Sequence, residues 1–220
     1  MVCYETDDEV VLIDPFLPQD GSFDPHGKRV RVLLTQAAHH RGTAEVVVRY
    51  SASVWTPPHA VWRKIPNPAT TDELPAGIEA LELDGEPQQV VFFIQEHATL
   101  VTGDVLTGRD GVMHVFLDEA HREPLLASLE RIAELPIERV IVPHCEAPIF
   151  VDGAARIRAA VMEARQSKRL RGRDSGARAD GQGVAGARPS LMAVSPTAAP
   201  VGSGSSATAC VIRISRVRGG

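Results

Sequence analysis

Four short apolar runs constrain this chain more than any other feature. Glu9-Val10-Val11-Leu12-Ile13-Asp14-Pro15 is nearly continuous and stops at Asp-Pro. Arg29-Val30-Arg31-Val32-Leu33-Leu34-Thr35 repeats the pattern. Thr99-Leu100-Val101-Thr102 leads into Gly103-Asp104, and Arg139-Val140-Ile141-Val142-Pro143 leads into His144. Runs of this length with little polar alternation suit strands buried on both faces. Such strands need covering layers on both sides, so the chain reads as a layered α/β fold.

The segments between them fill in the layers. Thr43–Tyr50 follows a strand and is expected to be a helix. Ser53-Val54-Trp55-Thr56 reads as a strand closed by Pro57-Pro58, and Ile78–Leu83 alternates with period two, as a half-buried strand does. Val90–Ile94 and Thr99–Thr102 form a hairpin around the polar Gln95-Glu96-His97-Ala98. Pro124 suits a first helical turn, after which Leu125, Leu129, Ile132 and Ala133 share a face until Pro136. Asp152 is placed to cap a last helix whose apolar side is Ile157, Ala160, Val161 and Ala164.

Charge divides the chain. Residues 166–220 hold nine Lys/Arg and two Asp/Glu, a balance of +7, within a total of −5 over 220 residues. This stretch holds nine of the 18 glycines and no aromatic residue, the last being Phe150. It offers too little apolar side chain to offset its ordering entropy. The expected organisation is one domain over 1–165 and a basic, disordered tail over 166–220. Cys210–Ser215 alternates weakly, which leaves an added strand as the other reading. No aromatic interleaves the arginines as a stacking platform for bases would require, and residues 1–165 are acidic. Nucleic acid is therefore not the expected partner; a small-molecule substrate or ligand is. No apolar run approaches the roughly 20 residues of a spanning helix. The acidic N-terminus lacks the basic and apolar regions of a signal peptide. Three cysteines, Cys3, Cys145 and Cys210, lie far apart and fit a reducing cytoplasm.

Chemistry-bearing side chains collect where the buried runs end: Asp14, His39-His40, Asp104 and His144. Strand ends are where layered α/β sheets place their sites. Each residue also has a structural reading. Asp14 before Pro15 is a turn former, His39-His40 can flank the next helix, and Gly103-Asp104 is turn chemistry. His144 can be a hydrogen-bonded structural histidine. Cys145 follows it, but neighbours on a strand end point to opposite faces, which argues against a Cys–His dyad. Phosphate-binding, dinucleotide-binding, serine-hydrolase and H-E-x-x-H motifs are absent from the sequence.

Val11–Pro15, Val32–Thr35, Leu100–Asp104 and Val140–His144, in that order and spacing, resemble the metallo-β-lactamase fold, as does the opening Cys3-Tyr4. The resemblance covers about residues 3–165. It implies an αββα four-layer sandwich with one or two metal ions, often zinc, at one edge of the sheets, and mostly hydrolytic activity. The family's T-H-x-H-x-D-H signature reads here as Thr35-Gln36-Ala37-Ala38-His39-His40-Arg41, and neither an ungapped nor a one-residue-deleted register restores both leading histidines. Gly85 stands where the next histidine would be. Asp104 matches the family's bridging carboxylate and His144 its last histidine. The resemblance thus implies at most a mononuclear centre, from Asp104, His144 and one of His39 or His40, holding one divalent transition metal, zinc foremost. His59 and His114 are candidate replacement ligands. The implied reaction is hydrolysis of an ester, thioester or lactone through metal-bound hydroxide. The other reading keeps the fold without catalysis, as a scaffold for a ligand or a protein.

Overall fold

The computed structural model describes residues 1–18, 20, 22–59, 69–70, 73–116, 119–143, 148–176 and 212–215. The chain starts with β1 (Val2–Glu5), β2 (Glu9–Ile13) and β3 (Arg29–Leu33), then α1 (Thr43–Tyr50), β4 (Ser53–Trp55) and β5 (Ala69–Thr70). It continues through β6 (Ile78–Glu82), β7 (Val90–Ile94) and β8 (Thr99–Val101) to a hairpin of β9 (Leu106–Arg109) and β10 (Val112–Val115). Helix α2 (Arg122–Ile132), β11 (Arg139–Ile141), β12 (Ile149–Val151), α3 (Gly153–Gly176) and β13 (Ile212–Ser215) follow.

Two main sheets result. The first has the order β13-β1-β2-β3-β4-β5, the second β12-β11-β8-β7-β6. Strands β2, β3 and β4 run parallel, in register Ile13 with Leu33 and Leu33 with Trp55. Strands β8 and β11 also run parallel, pairing Val101 with Ile141. The carboxyl ends of these strands carry the polar residues that close each apolar run.

Side-chain alternation builds four layers. Tyr4, Val11, Ile13, Leu33 and Trp55 pack against Val90, Phe92, Ile94, Val101 and Ile141, forming the core between the sheets. The opposite face of the first sheet, with Val10, Leu12, Val32 and Val54, packs on Val46 of α1. The opposite face of the second, with Val91, Phe93, Leu100 and Val140, packs on Leu125, Leu129, Ile157 and Val161 of α2 and α3. Strand β2 therefore buries both faces, which is why its sequence lacks alternation. Each fully buried Leu, Ile or Phe contributes roughly 1.5–3 kcal/mol relative to exposure. The layering is the α/β αββα sandwich that the family resemblance implies.

Some boundaries differ from the sequence expectation. Helix α3 runs past residue 165 to Gly176; Lys168, Arg169, Leu170 and Arg171 are good helix formers that let it propagate. Asp152 precedes α3, and its backbone carbonyl accepts the Arg156 N–H at 3.0 Å. Residues 212–215 pair parallel with β1, Val2 opposite Ile212 and Tyr4 opposite Ile214. Both isoleucines pack on the inter-sheet core, which explains their spacing of two. The rest of the expected tail, 177–211 and 216–220, lies outside the described residues.

Candidate functional site

Asp14 begins the site. Beyond β2 its backbone turns to φ 49°, a left-handed conformation that Asp tolerates better than most residues. Its N–H stays in the sheet, donating to the Leu33 carbonyl at 3.0 Å. Its carboxylate accepts the Thr35 N–H at 2.9 Å on Oδ1 and the Thr35 hydroxyl at 2.6 Å on Oδ2. Two neighbouring parallel strand ends are thus joined by one side chain.

A turn of 3-10 helix, Ala37–His39, follows β3. It brings the His39 ring back over Thr35, with Nδ1 2.9 Å from Asp14 Oδ2 and 3.0 Å from Thr35 Oγ1. Nε2 faces the other way, 3.1 Å from Asp104 Oδ2 and 3.0 Å from Gln36 Nε2. Gln36 Nε2 also donates to Asp104 Oδ2 at 2.5 Å. Gln36 is anchored through its backbone, which bridges to Gln89 as an isolated antiparallel pair. The His39 side chain is 6% exposed, that of Asp14 15% and that of Asp104 38%. Buried imidazole therefore leads out to a carboxylate at the surface.

Burial alone would lower the His39 pKa, but hydrogen bonds and Coulomb attraction from Asp104 and Asp14 outweigh it and raise the value to about 9. Without a cation, His39 is an imidazolium between two carboxylates at neutral pH. Its Nε2–H and the Gln36 amide both point at Asp104 Oδ2.

One glycine shapes the site directly. Gly103 sits at φ 56°, and a Cβ there would fall 2.7 Å from Thr35 Oγ1 and 2.9 Å from Thr35 Cβ. The absent side chain lets the loop after β8 close on Thr35 and aim Asp104 at His39. Gly85, at φ 87°, stands where the family resemblance puts a histidine. A Cβ at that position would lie 3.1 Å from His121 Cβ and 3.3 Å from Pro124 Cβ. The start of α2 packs against that backbone, so a larger residue would need α2 to shift.

Of the four metal-ligand candidates from the sequence, His39 and Asp104 meet. His40 does not join them; its Nδ1 lies 2.8 Å from the Ala37 carbonyl oxygen, closing its own turn. His144 and the adjoining Cys145 lie outside the described residues. His114 pairs with Glu163 at 3.1 Å, and His59 is exposed. Sequence reasoning passed over Thr35 as a clamp on Asp14, and treated Gln36 only as a lost histidine. Both act through contacts to residues far away in sequence, Asp14 and Asp104.

The donor set decides what group would fit. Asp14 holds Nδ1 of His39 from behind and leaves Nε2 toward Asp104, the arrangement in which a carboxylate orients a metal-binding histidine. One imidazole nitrogen and one carboxylate converge, with an amide between them. Among the described residues no group of three or more His, Cys, Asp or Glu is placed to hold a metal ion. Among the described residues the donors that converge are the His39 imidazole, the Asp104 carboxylate and the Gln36 amide.

No protein-family model and no curated protein matches the sequence. Solved structures do match the fold. An archaeal metallo-beta-lactamase superfamily protein, ST1585 from Sulfolobus tokodaii, superposes at TM-score 0.50 with 14% identity, covering 71% of this chain and 76% of its own. TTHA1623 in a di-iron-bound form superposes at TM-score 0.50 with 25% identity, over 67% of this chain and 87% of its own. The DIM-1 metallo-beta-lactamase superposes at TM-score 0.52 with 14% identity, over 74% and 82%. With two sheets packed face to face, helices outside both and polar residues gathered at one set of strand ends, the chain is a metallo-β-lactamase-fold protein.

Proposed function

We propose that this protein is a metallo-hydrolase-like enzyme with an at most mononuclear metal centre built on His39 and Asp104, acting on an ester, thioester or lactone. The supporting observation is the line from Asp14 through His39 to Asp104, with contacts of 2.9 and 3.1 Å on opposite nitrogens of one ring. His144 is the remaining ligand expected from sequence order. A divalent cation bound there would make hydroxide available near neutral pH and polarise an acyl oxygen. The chain's own residues set the stage for that chemistry. Thr35 fixes the Asp14 carboxylate, Asp14 holds a proton on His39 Nδ1, and that proton leaves Nε2 as the donor atom. Gly103 lets Asp104 reach the same point. The 38% exposure of Asp104 gives a substrate access from solvent.

The test is metal content joined to turnover on generic esters, thioesters and lactones, in the wild type and in Asp104→Asn and His39→Ala. Loss of both metal and turnover in either variant is expected. Retention of turnover without metal would overturn the reading.

One observation favours the non-catalytic alternative. Gln36 and His39 already satisfy Asp104 Oδ2, so the cluster is internally closed without a cation. A scaffold would keep its fold and ligand binding, and would show neither metal nor turnover.

A further inference from the structure

The amide of Gln36 occupies the position that decides what a cation at this site would meet. Gln36 Nε2, His39 Nε2 and Asp104 Oδ2 form a triangle with sides of 2.5, 3.0 and 3.1 Å. Three donors that share one small divalent cation at about 2.1 Å stand about 3 Å apart when their bonds meet at right angles. The two sides that meet at His39 have that spacing, and the third, between Gln36 and Asp104, is shorter. The triangle's third corner is an amide end, and the two ends of an amide exchange by a half-turn of the side chain without moving the backbone.

We propose that Gln36 is a metal ligand through Oε1 and that it shifts the site's preference from zinc toward oxygen-preferring cations such as Mn²⁺. This rests on the reading of His39 and Asp104 as metal ligands. In the cation-free form the Nε2 end faces Asp104 and donates to it. With a cation present the Oε1 end faces inward, where Nε2–H would be repelled. The donor set then has one imidazole nitrogen, one carboxylate oxygen and one amide oxygen. Oxygen donors suit Mn²⁺ and Mg²⁺, whereas zinc favours nitrogen and sulfur. The Gln36–Gln89 backbone bridge anchors the backbone that carries this side chain.

Manganese electron paramagnetic resonance reads this without any assay of activity, because bound Mn²⁺ loses the six-line signal of the aqueous ion. Wild type, Gln36→Ala, Gln36→Glu and Gln36→His are titrated with Mn²⁺, and zinc affinity is measured by chelator competition. Thermal melts check folding. The expected result is a roughly tenfold loss of Mn²⁺ affinity in Gln36→Ala. Gln36→Glu, which keeps an oxygen, should match or exceed wild type. Gln36→His should raise zinc affinity at least tenfold while Mn²⁺ changes less. If Gln36 serves only as an N–H donor that positions Asp104, Gln36→Glu falls with Gln36→Ala, and the proposal is overturned. Equal Mn²⁺ affinity in wild type and Gln36→Ala overturns it as well, and leaves His39 and Asp104 as ligands. Absence of Mn²⁺ and zinc binding in all four proteins overturns both this inference and the metal-centre reading beneath it.

Discussion

Asp14 Oδ2 lies 2.9 Å from His39 Nδ1, and the same carboxylate takes both the N–H and the hydroxyl of Thr35. Removing its charge while keeping its shape isolates the orienting role. Asp14→Asn should weaken metal binding by about 10–100-fold, the usual effect of losing a partner behind a metal-bound histidine. It should also destabilise the fold by about 1–3 kcal/mol, since buried His39 loses one of its two carboxylate partners. Metal titration and urea unfolding read the two effects separately.

His39 makes stability depend on alkaline pH. Its pKa in the folded state is about 9, above the ordinary 6.5, because Asp104 and Asp14 together outweigh burial. The ion pairs therefore stabilise the cation-free fold fully below about pH 6.5, and the contribution fades as pH rises through about 9. Denaturant midpoints of the metal-free protein should fall across that window, and His39→Gln should flatten the profile. A wild-type profile that rises across it would contradict the ion-pair account. With a metal present the order reverses, since the cation competes with the Nε2 proton and binds more tightly as pH rises.

Gly103 is a steric requirement of the site. Alanine there would place a Cβ 2.7 Å from Thr35 Oγ1 while holding φ at 56°. Gly103→Ala should cost about 2–4 kcal/mol and lower Tm by roughly 5–10 °C. Displacement of Asp104 should reduce metal affinity further than the loss of stability alone. Calorimetry and a metal titration well below Tm test both parts; a Tm within 1 °C of wild type, on the order of measurement error, would count against the packing described.

Strand β13 closes the edge of β1. The Ile212 N–H donates to the Met1 carbonyl at 3.2 Å, and Ile214 packs on the core between the sheets. Ile214→Asp should release that strand at a cost of about 1–2 kcal/mol. Hydrogen exchange should then speed up in Val2–Glu5 and leave β7 and β8 unchanged. Uniformly faster exchange across both sheets would mean that β13 supports the whole fold rather than one edge.

The α/β layering was legible because strands such as β2 are buried on both faces, so Val10–Ile13 and Val140–Val142 announce themselves without alternation. Helices α1 and α2 were legible from position and from the Leu125, Leu129, Ile132 stripe. The β9–β10 hairpin was not read, although Asp110-Gly111, both at positive φ, is the two-residue turn that such hairpins prefer. Its strands are short, and only Leu106 and Met113 bury deeply, so the apolar pattern is thin. Of the site, Asp104 and His39 were visible at strand ends, but the choice between His39 and His40 was not. That choice is made by the 3-10 turn, which sends His39 inward and leaves His40 on Ala37. Thr35 and Gln36 act through distances of 2.5–2.9 Å to residues 21 and 68 positions away, and no local pattern encodes these contacts.

The most direct test of a single metal centre on His39 and Asp104 is elemental mass spectrometry of untagged protein dialysed against trace zinc, iron and manganese. The account predicts close to one equivalent of divalent metal per chain, lost in Asp104→Asn and in His39→Ala while both variants stay folded. Metal far below one equivalent in the wild type, or an unchanged equivalent in both variants, would contradict it.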